Sequence, residues 1–366
     1  MEQKIDLFLK KIKANNSLNL NIENTAFIIT SKNNRLYFSG LNSSEGILIV
    51  TNNEAYLLVD FRYFEMASKI SKHLKVILVN DFFNSIKDIL IKHNIKNVLL
   101  ENEFISLEKY KKIKAFFKDL SINLMEENIL NPAINALREI KTELEIKKIK
   151  IAQEISEYAF NEVIKEIKQS VTEKEIAAKL DYLMKKSGAL SQAFETIVLS
   201  GKNTSLPHGI PTGKKIESGD FVLIDMGANF EGYCSDMTRT LAIKNVTAEQ
   251  KRVYNIVLKA QEKALNLLNV GVKAKDIDKS ARDVIEETEY KGKFGHALGH
   301  GVGLDIHESP TLSPKSDQIL KENMVTTVEP GIYIENKFGV RIEDMVLIKK
   351  DGYQNFTRVS KELMII

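Results

Sequence analysis

Six histidines occur in the 366-residue chain, and four of them, His208, His296, His300 and His307, fall in glycine-dense segments of its second half. Beside them stand carboxylates at the ends of apolar, strand-like runs, where an unpaired charge is costly to bury. Asp225 closes Phe221-Val222-Leu223-Ile224, and Asp236 follows Tyr233-Cys234-Ser235. Glu329 follows Val325-Thr326-Thr327-Val328, and Glu343 lies between Ile342 and Met345-Val346-Leu347-Ile348. Four carboxylates with His300 make a hard, oxygen-rich donor set that suits Mn2+, Co2+, Fe2+ or Zn2+ better than a thiolate site would. Four negative charges balance two dications, and a pair of such ions roughly 3.5–4 Å apart supplies a nucleophile near neutral pH and polarises a carbonyl. On this count Asp225 clamps one ion, Asp236 and Glu343 bridge both, and His300 and Glu329 complete the spheres. His208, His296 and His307 are left as hydrogen-bond donors to a substrate.

Two of these pairs have an expected geometry. If Asn229-Phe230-Glu231-Gly232 is a tight hairpin with Phe230 and Glu231 at its tip, Asp225 and Asp236 face each other directly across the two strands. Their Cβ atoms would then lie about 4.5–5.5 Å apart on one face. Like charges there repel unless a cation sits between them; the alternative is one turn aspartate and one surface aspartate. Glu329 precedes Pro330, which favours an extended strand end. Arg341 and Glu343 are two apart and should share a face, either at the site or as a surface ion pair of little energetic weight.

The segment Gly295-His296-Ala297-Leu298-Gly299-His300-Gly301-Val302-Gly303-Leu304-Asp305-Ile306-His307-Glu308 excludes several other chemistries. His296 and His300 have the spacing of a helical zinc protease, but the glycines oppose a helix and Ala297 stands where that motif needs glutamate. The glycines do not give the dinucleotide fingerprint, and no G-x-S-x-G elbow of a serine hydrolase occurs. What remains is a backbone that glycine lets approach closely, with histidines aimed into a site.

The elements that must position these residues are legible from pattern. From residue 1 to about 125, β-rich runs at 26–30, 46–51, 55–59, 75–79 and 97–101 alternate with amphipathic stretches such as 64–73 and 83–93. This predicts a compact α/β domain with a partly parallel sheet. His73 and His93 read as solvated helix-end residues complementing the helix dipole. Pro132 and the charged residues after it mark the domain boundary in 131–141, giving domains 1–130 and 131–366. Thr142 with Glu145, Thr172 with Glu175 and Thr247 with Gln250 have capping-box spacing. They start three helices, the first with an apolar face of Ile149, Ala152, Ile155, Ala159, Val163 and Ile167. A fourth helix covers about 274–289, and the β-rich segments between make an α+β domain of antiparallel strands faced by helices.

Composition narrows the function classes. Apolar residues at 43% and charged residues at 28% describe a chain that buries a sizeable core. Lys+Arg at 52 against Asp+Glu at 49 leaves +3, without the concentrated positive field of a nucleic-acid binder. The single cysteine, Cys234, excludes an internal disulfide framework and fits a reducing compartment, which points to the cytoplasm. Lysines interrupt the helical pattern of Ile5, Phe8, Leu9 and Ile12, so no signal-peptide run is expected. No stretch approaches the ~20 apolar residues that cross a bilayer.

Taken in order, five motifs resemble the metallopeptidases of pita-bread fold (M24). They are Leu206-Pro207-His208-Gly209; Asp225-Met226-Gly227 with Ser235-Asp236-Met237-Thr238-Arg239-Thr240; Gly299-His300-Gly301-Val302-Gly303 with His307-Glu308; Glu329-Pro330-Gly331-Ile332-Tyr333; and Arg341-Ile342-Glu343. The resemblance runs from about Ala136 to the end, and the preceding segment resembles the creatinase-type N-terminal domain. It implies an α+β pita-bread catalytic domain behind a smaller α/β domain, and two divalent ions, manganese first, on Asp225, Asp236, His300, Glu329 and Glu343. Within the family the match is to Xaa-Pro aminopeptidase and Xaa-Pro dipeptidase (prolidase), with the aminopeptidase favoured and the dipeptide-restricted enzyme the alternative. His208, His296 and His307 match histidines that bind substrate and stabilise the tetrahedral intermediate, and Arg341 matches a supporting arginine; together with the donor count this makes Glu329 the expected proton shuttle to the departing proline nitrogen. The implied partners are peptides with proline in second position and a second copy in a homodimer. A catalytically dead peptide-binding scaffold would have no chemical need for all five donors.

Overall fold

The computed structural model describes residues 2–14 and 20–366, in two units, Met1–Arg138 and Glu139–Ile366. The first unit holds helices α1 (Glu2–Ala14), α2 (Lys32–Ser39), α3 (Phe61–Ile70), α4 (Phe82–Lys92), α5 (Leu107–Asp119) and α6 (Leu130–Arg138). Its strands are β1 (Thr25–Ile29), β2 (Ile47–Val50), β3 (Ala55–Val59), β4 (Lys75–Leu78), β5 (Asn97–Leu100) and β6 (Asn123–Met125), in the order β4-β3-β2-β1-β5-β6. β1 runs antiparallel to β2 and parallel to β5, so the sheet is mixed. Every residue of β1 is buried because both sheet faces are covered. Ala26 and Ile28 point into a core with Ile86, Ile89 and Leu90 of α4 and Phe117 of α5. Phe27, on the other face, meets Phe8 of α1 edge-on at 5.3 Å, and Phe8 meets Phe38 of α2 at 5.6 Å.

Two expectations for this unit change. The units divide at Arg138/Glu139, inside the expected boundary segment 131–141 but later than residue 130, because the residues from Leu130 form the helix α6. Pro132 sits in its first turn, where a missing N–H costs nothing, and Leu130 and Ile134 are buried. His93 does cap the C-terminus of α4, but its Nε2 lies 2.8 Å from the Tyr56 hydroxyl and 3.3 Å from Glu54, with the side chain only 13% exposed. His73 lies beyond the end of α3 with Nε2 2.8 Å from the Phe38 carbonyl oxygen. Neither is a freely solvated helix end.

The second unit begins with α7 (Glu143–Val163) and α8 (Glu173–Lys186), and later has α9 (Ala248–Leu267) and α10 (Ala274–Glu286). The first three each start with the expected capping box. Strands β7 (Ser191–Gln192), β8 (Ile197–Ser200), β9 (Phe221–Met226), β10 (Ala228–Phe230), β11 (Tyr233–Cys234) and β12 (Met237–Ala242) follow α8. After α10 come β13 (Gly299–Gly301), β14 (Glu308–Leu312), β15 (Val325–Val328), β16 (Gly331–Ile334), β17 (Phe338–Arg341), β18 (Asp344–Lys349) and β19 (Gly352–Asn355). Pairing between these strands is antiparallel throughout.

Two cores result. Ile155, Ala159, Phe160 and Val163 of α7 pack with Leu180 and Met184 of α8 against Val222, Ile224, Met226 and Met237. Val257, Ala260 and Ala264 of α9 pack with Ile277 and Ala281 of α10 against Val328, Val340 and Val346. Each fully buried aliphatic or aromatic side chain here contributes about 1.5–3 kcal/mol relative to exposure. The strands carrying the acidic residues are thus held between two helix pairs.

The hairpin differs from expectation by one position. Asn229 pairs with Cys234 and Phe230 with Tyr233, so Glu231 and Gly232, both with positive φ (50° and 91°), form the tip. The register then sets Asp225 opposite Thr238 and not opposite Asp236. Because the partner moves by two residues, Asp236 stays on the same face as Asp225, as a diagonal neighbour.

Candidate metal centre

Each acidic side chain reaches the centre because its strand stops there. Asp225 is the fifth residue of β9, Asp236 lies between β11 and β12, Glu329 follows β15, and Glu343 precedes β18. Ser235, next to Asp236, is fixed by Ser156 of α7 at 2.9 Å and by the Ala228 N–H. The Glu329 N–H donates to the Leu298 carbonyl, tying that strand end to the histidine segment. His300 is the middle residue of β13, whose flanking glycines allow close approach. A Cβ on Gly299 would meet the Thr327 carbonyl oxygen at 2.1 Å, and one on Gly301 the Ser309 carbonyl oxygen at 2.2 Å.

All nine residues singled out in the sequence line one cavity of about 580 Å³: Asp225, Asp236, His300, Glu329, Glu343, His208, His296, His307 and Arg341. Donor atoms of Asp236, His300 and Glu343 lie within 4.8 Å of one another. His300 Nε2 is 3.5 Å from Asp236 Oδ2 and 3.3 Å from Glu329 Oε1. Glu329 also accepts from the Thr327 hydroxyl at 3.1 Å. Asp225 stands outside the close trio and takes a 2.6 Å bond from Arg341 Nη2. Arg341 and Glu343 are 3% and 1% exposed, which excludes a surface ion pair. They meet through Thr238, whose hydroxyl accepts from Arg341 Nε at 3.2 Å and donates to Glu343 Oε2 at 2.7 Å.

The electrostatics are those of a cation site. Burial, then the charges of Glu343 and Asp225, push the Asp236 carboxyl well above the usual carboxylate range. Burial, then Glu329 and Asp225, do the same to Glu343, and burial raises Asp225 against the pull of Arg341. Burial would raise Glu329 as well, but the hydrogen bond and charge of His300 outweigh it and hold it low. The buried Asp225 Oδ1 and Asp236 Oδ1 have no hydrogen-bond partner, which a native interior rarely tolerates. A divalent cation held by these carboxylates would offset their mutual repulsion. His300 Nδ1 must donate to the Gly301 carbonyl oxygen at 3.1 Å, directing Nε2 to the carboxylates in the orientation a ligating imidazole needs.

The remaining histidines divide. His208 and His307 are exposed to the cavity, and the His307 ring packs edge-on against His300 with centroids 4.4 Å apart. His296 also lines the cavity, with its ring held by partners of its own. Its Nδ1 donates to the Ala297 carbonyl at 2.8 Å, and its Nε2 is 3.0 Å from the Tyr333 hydroxyl. Burial lowers its pKa and favours the neutral ring, so Nε2 accepts from Tyr333, whose oxygen accepts from Arg341 Nη1 at 2.9 Å. Both nitrogens are occupied. Tyr333 closes the motif Glu329-Pro330-Gly331-Ile332-Tyr333, and the sequence assigns it no separate part. Its signal was strand parity: it lies two residues from Gly331, which pairs with Arg341.

Comparison with known proteins agrees with this architecture. Residues 147–350 match the model of metallopeptidase family M24, and residues 23–140 match the creatinase/prolidase N-terminal domain. An Xaa-Pro dipeptidase of Pyrococcus furiosus is 42% identical over 335 residues, covering 90% of this chain and 92% of its own. The structure of an Xaa-Pro dipeptidase from Bacillus anthracis superposes with TM-score 0.93 at 34% identity, covering 100% of this chain and 99% of its own. That of an X-Pro aminopeptidase from Thermotoga maritima has TM-score 0.88 at 39% identity, covering 98% and 100%. The expected fold class holds, a pita-bread α+β domain behind a smaller creatinase-type α/β domain. The family implies divalent metal ions, which the donor set accommodates. The chain belongs to metallopeptidase family M24 and is an enzyme of that family.

Proposed function

We propose that the protein hydrolyses the peptide bond before proline and releases the N-terminal residue, as an Xaa-Pro aminopeptidase. One observation carries the reading: carboxylates and histidines from distant segments line a single cavity, with three donors within 4.8 Å. Asp225, Asp236, His300, Glu329 and Glu343 hold the metal, manganese first, then cobalt, iron or zinc. Two bound dications supply a nucleophile at neutral pH and polarise the scissile carbonyl. Glu329 holds the proton and passes it to the departing proline nitrogen. His307 and His208 donate hydrogen bonds to the carbonyl oxygen as it gains charge. Phe194, Ile197, Ile210 and Ile306 offer an apolar wall for a pyrrolidine ring. Arg341 fixes Asp225, and His296 acts through Tyr333.

Restriction to dipeptides is the second reading, favoured by the names of the relatives. A dipeptide presents a carboxylate next to proline. Among the described residues lining the cavity there is no lysine, and the one arginine is engaged with Asp225. That supports acceptance of longer peptides. An assay with manganese comparing an Xaa-Pro dipeptide with an Xaa-Pro-Yaa tripeptide separates the two: hydrolysis confined to the dipeptide overturns the aminopeptidase reading. The lone, buried Cys234 supports a reducing, cytoplasmic setting. Among the described residues no helix is long and apolar enough to cross a membrane. The family resemblance supports a homodimer.

A further inference from the structure

Glu308 directly follows His307, and nothing in the reaction above uses it. Its side chain is nonetheless 8% exposed and joined at 3.0 Å to Lys141 Nζ, whose side chain is 2% exposed. Burying two charges is justified energetically only when geometry and further hydrogen bonds are good. Here they are. Glu308 Oε1 accepts the Asp305 N–H at 3.0 Å while Oε2 takes Lys141. The carboxylate therefore grips its own loop three residues back and a distant lysine together. Gly303 makes room, since a Cβ there would stand 2.5 Å from Glu308 Oε2. The Gly303 N–H donates to the Asp305 carbonyl, and the Gly303 carbonyl accepts from the Cys234 N–H at 2.8 Å, two residues before Asp236. Lys141 is anchored in turn, its N–H donating to the Asn323 carbonyl at 2.9 Å.

His307 needs such support. Among the described residues no hydrogen bond holds its ring, which packs edge-on against His300, and residues 302–307 form neither helix nor strand. Its place over the cavity is set by its backbone, and that backbone is clamped at Asp305 and Glu308.

We propose that the buried Lys141–Glu308 pair is a positioning device for His307: it fixes the loop 302–308 so that the imidazole meets the reacting carbonyl. Lys141 and Glu308 touch no substrate and act through His307, and the inference rests on the part given to His307 above. A displacement of about 1 Å of a group that stabilises charge only in the transition state costs up to roughly a hundredfold in rate, so the loss should appear in kcat and not in KM.

The test compares wild type, Lys141→Arg, Lys141→Met and Lys141→Met/Glu308→Gln in the manganese-loaded full chain, with an Xaa-Pro-Yaa tripeptide as substrate. The double variant removes both members of the ion pair together, so it carries the test where the single one unfolds. The expected result for the Met variants is a kcat roughly 10- to 100-fold lower, with KM and metal content close to wild type. Lys141→Arg, which keeps the charge pair, should recover part of the rate. Wild-type kcat in a folded double variant overturns the proposal. So does a loss of kcat that tracks metal loss, or a double variant that fails to fold. Absence of tripeptide hydrolysis in the wild type would instead sink the functional reading.

Discussion

Arg341 grips Asp225 through Nη2 at 2.6 Å and leaves the other carboxylate oxygen buried without a partner. The guanidinium also reaches Thr238 through Nε and Tyr333 through Nη1. This planar fork aims one oxygen of Asp225 by engaging the other. Lysine offers a point charge and cannot hold three partners in fixed directions. Arg341→Lys is therefore expected to weaken metal affinity by roughly 10- to 100-fold, as loss of an outer partner of a ligand does. Titration of the metal-free protein with manganese checks this, and unchanged affinity would show that the fork does not aim Asp225.

Removing a donor and removing a polarising histidine should look different. Asp236→Asn and Glu343→Gln take away members of the close trio, and both should lose metal and turnover together. His307→Ala should keep its metal and lose roughly 10²–10³ in kcat, the usual cost of one oxyanion donor. Elemental analysis beside steady-state kinetics distinguishes them; metal loss in the His307 variant would contradict its assignment.

The raised carboxyls predict the direction of a pH effect. In the metal-free fold Asp236 and Glu343 keep protons that an unfolded chain has released. Their contribution to stability therefore falls as pH rises from the ordinary carboxylate value toward their raised ones. A bound dication displaces those protons, so its affinity climbs over the same interval. The gap in thermal midpoint between manganese-loaded and metal-free protein should widen as pH rises above the ordinary carboxylate value. A gap that narrows would show that these carboxyls are already ionised without metal.

Tyr333→Phe tests the link between Arg341 and His296. The change deletes one oxygen, leaving His296 Nε2 without its 3.0 Å partner and Arg341 Nη1 with the Pro207 carbonyl oxygen at 3.4 Å. The expected loss of stability is about 1–3 kcal/mol for buried groups left unpaired, with metal retained. Denaturant unfolding of the metal-loaded protein measures it, and a difference near zero would mean water replaces the hydroxyl.

The donors were legible in the sequence because each breaks a local rule: a carboxylate closing an apolar strand has few other reasons to be there. Helix starts were equally legible, since capping boxes at Thr142, Thr172 and Thr247 are local chemistry. What was hidden depends on a third dimension. The hairpin tip turns on which residues accept positive φ, and Glu231 does so despite its side chain. α6 was hidden by Pro132, which marks a break in pattern yet is harmless in a first turn. The His296–Tyr333 bond and the Lys141–Glu308 pair join residues far apart in sequence, and no spacing announces them.

The tip at Glu231 and Gly232 also decides how the chain tolerates changes of length. Asp225 and Asp236 sit on the two arms of one ribbon, so the number of residues between them works as a ruler whose odd and even marks differ. One residue inserted at the tip, if pairing simply slid along, would swing Asp236 away to the helix side, while two would return it facing inward. A series of insertions at this tip should thus give a sawtooth in metal binding and not a smooth decline.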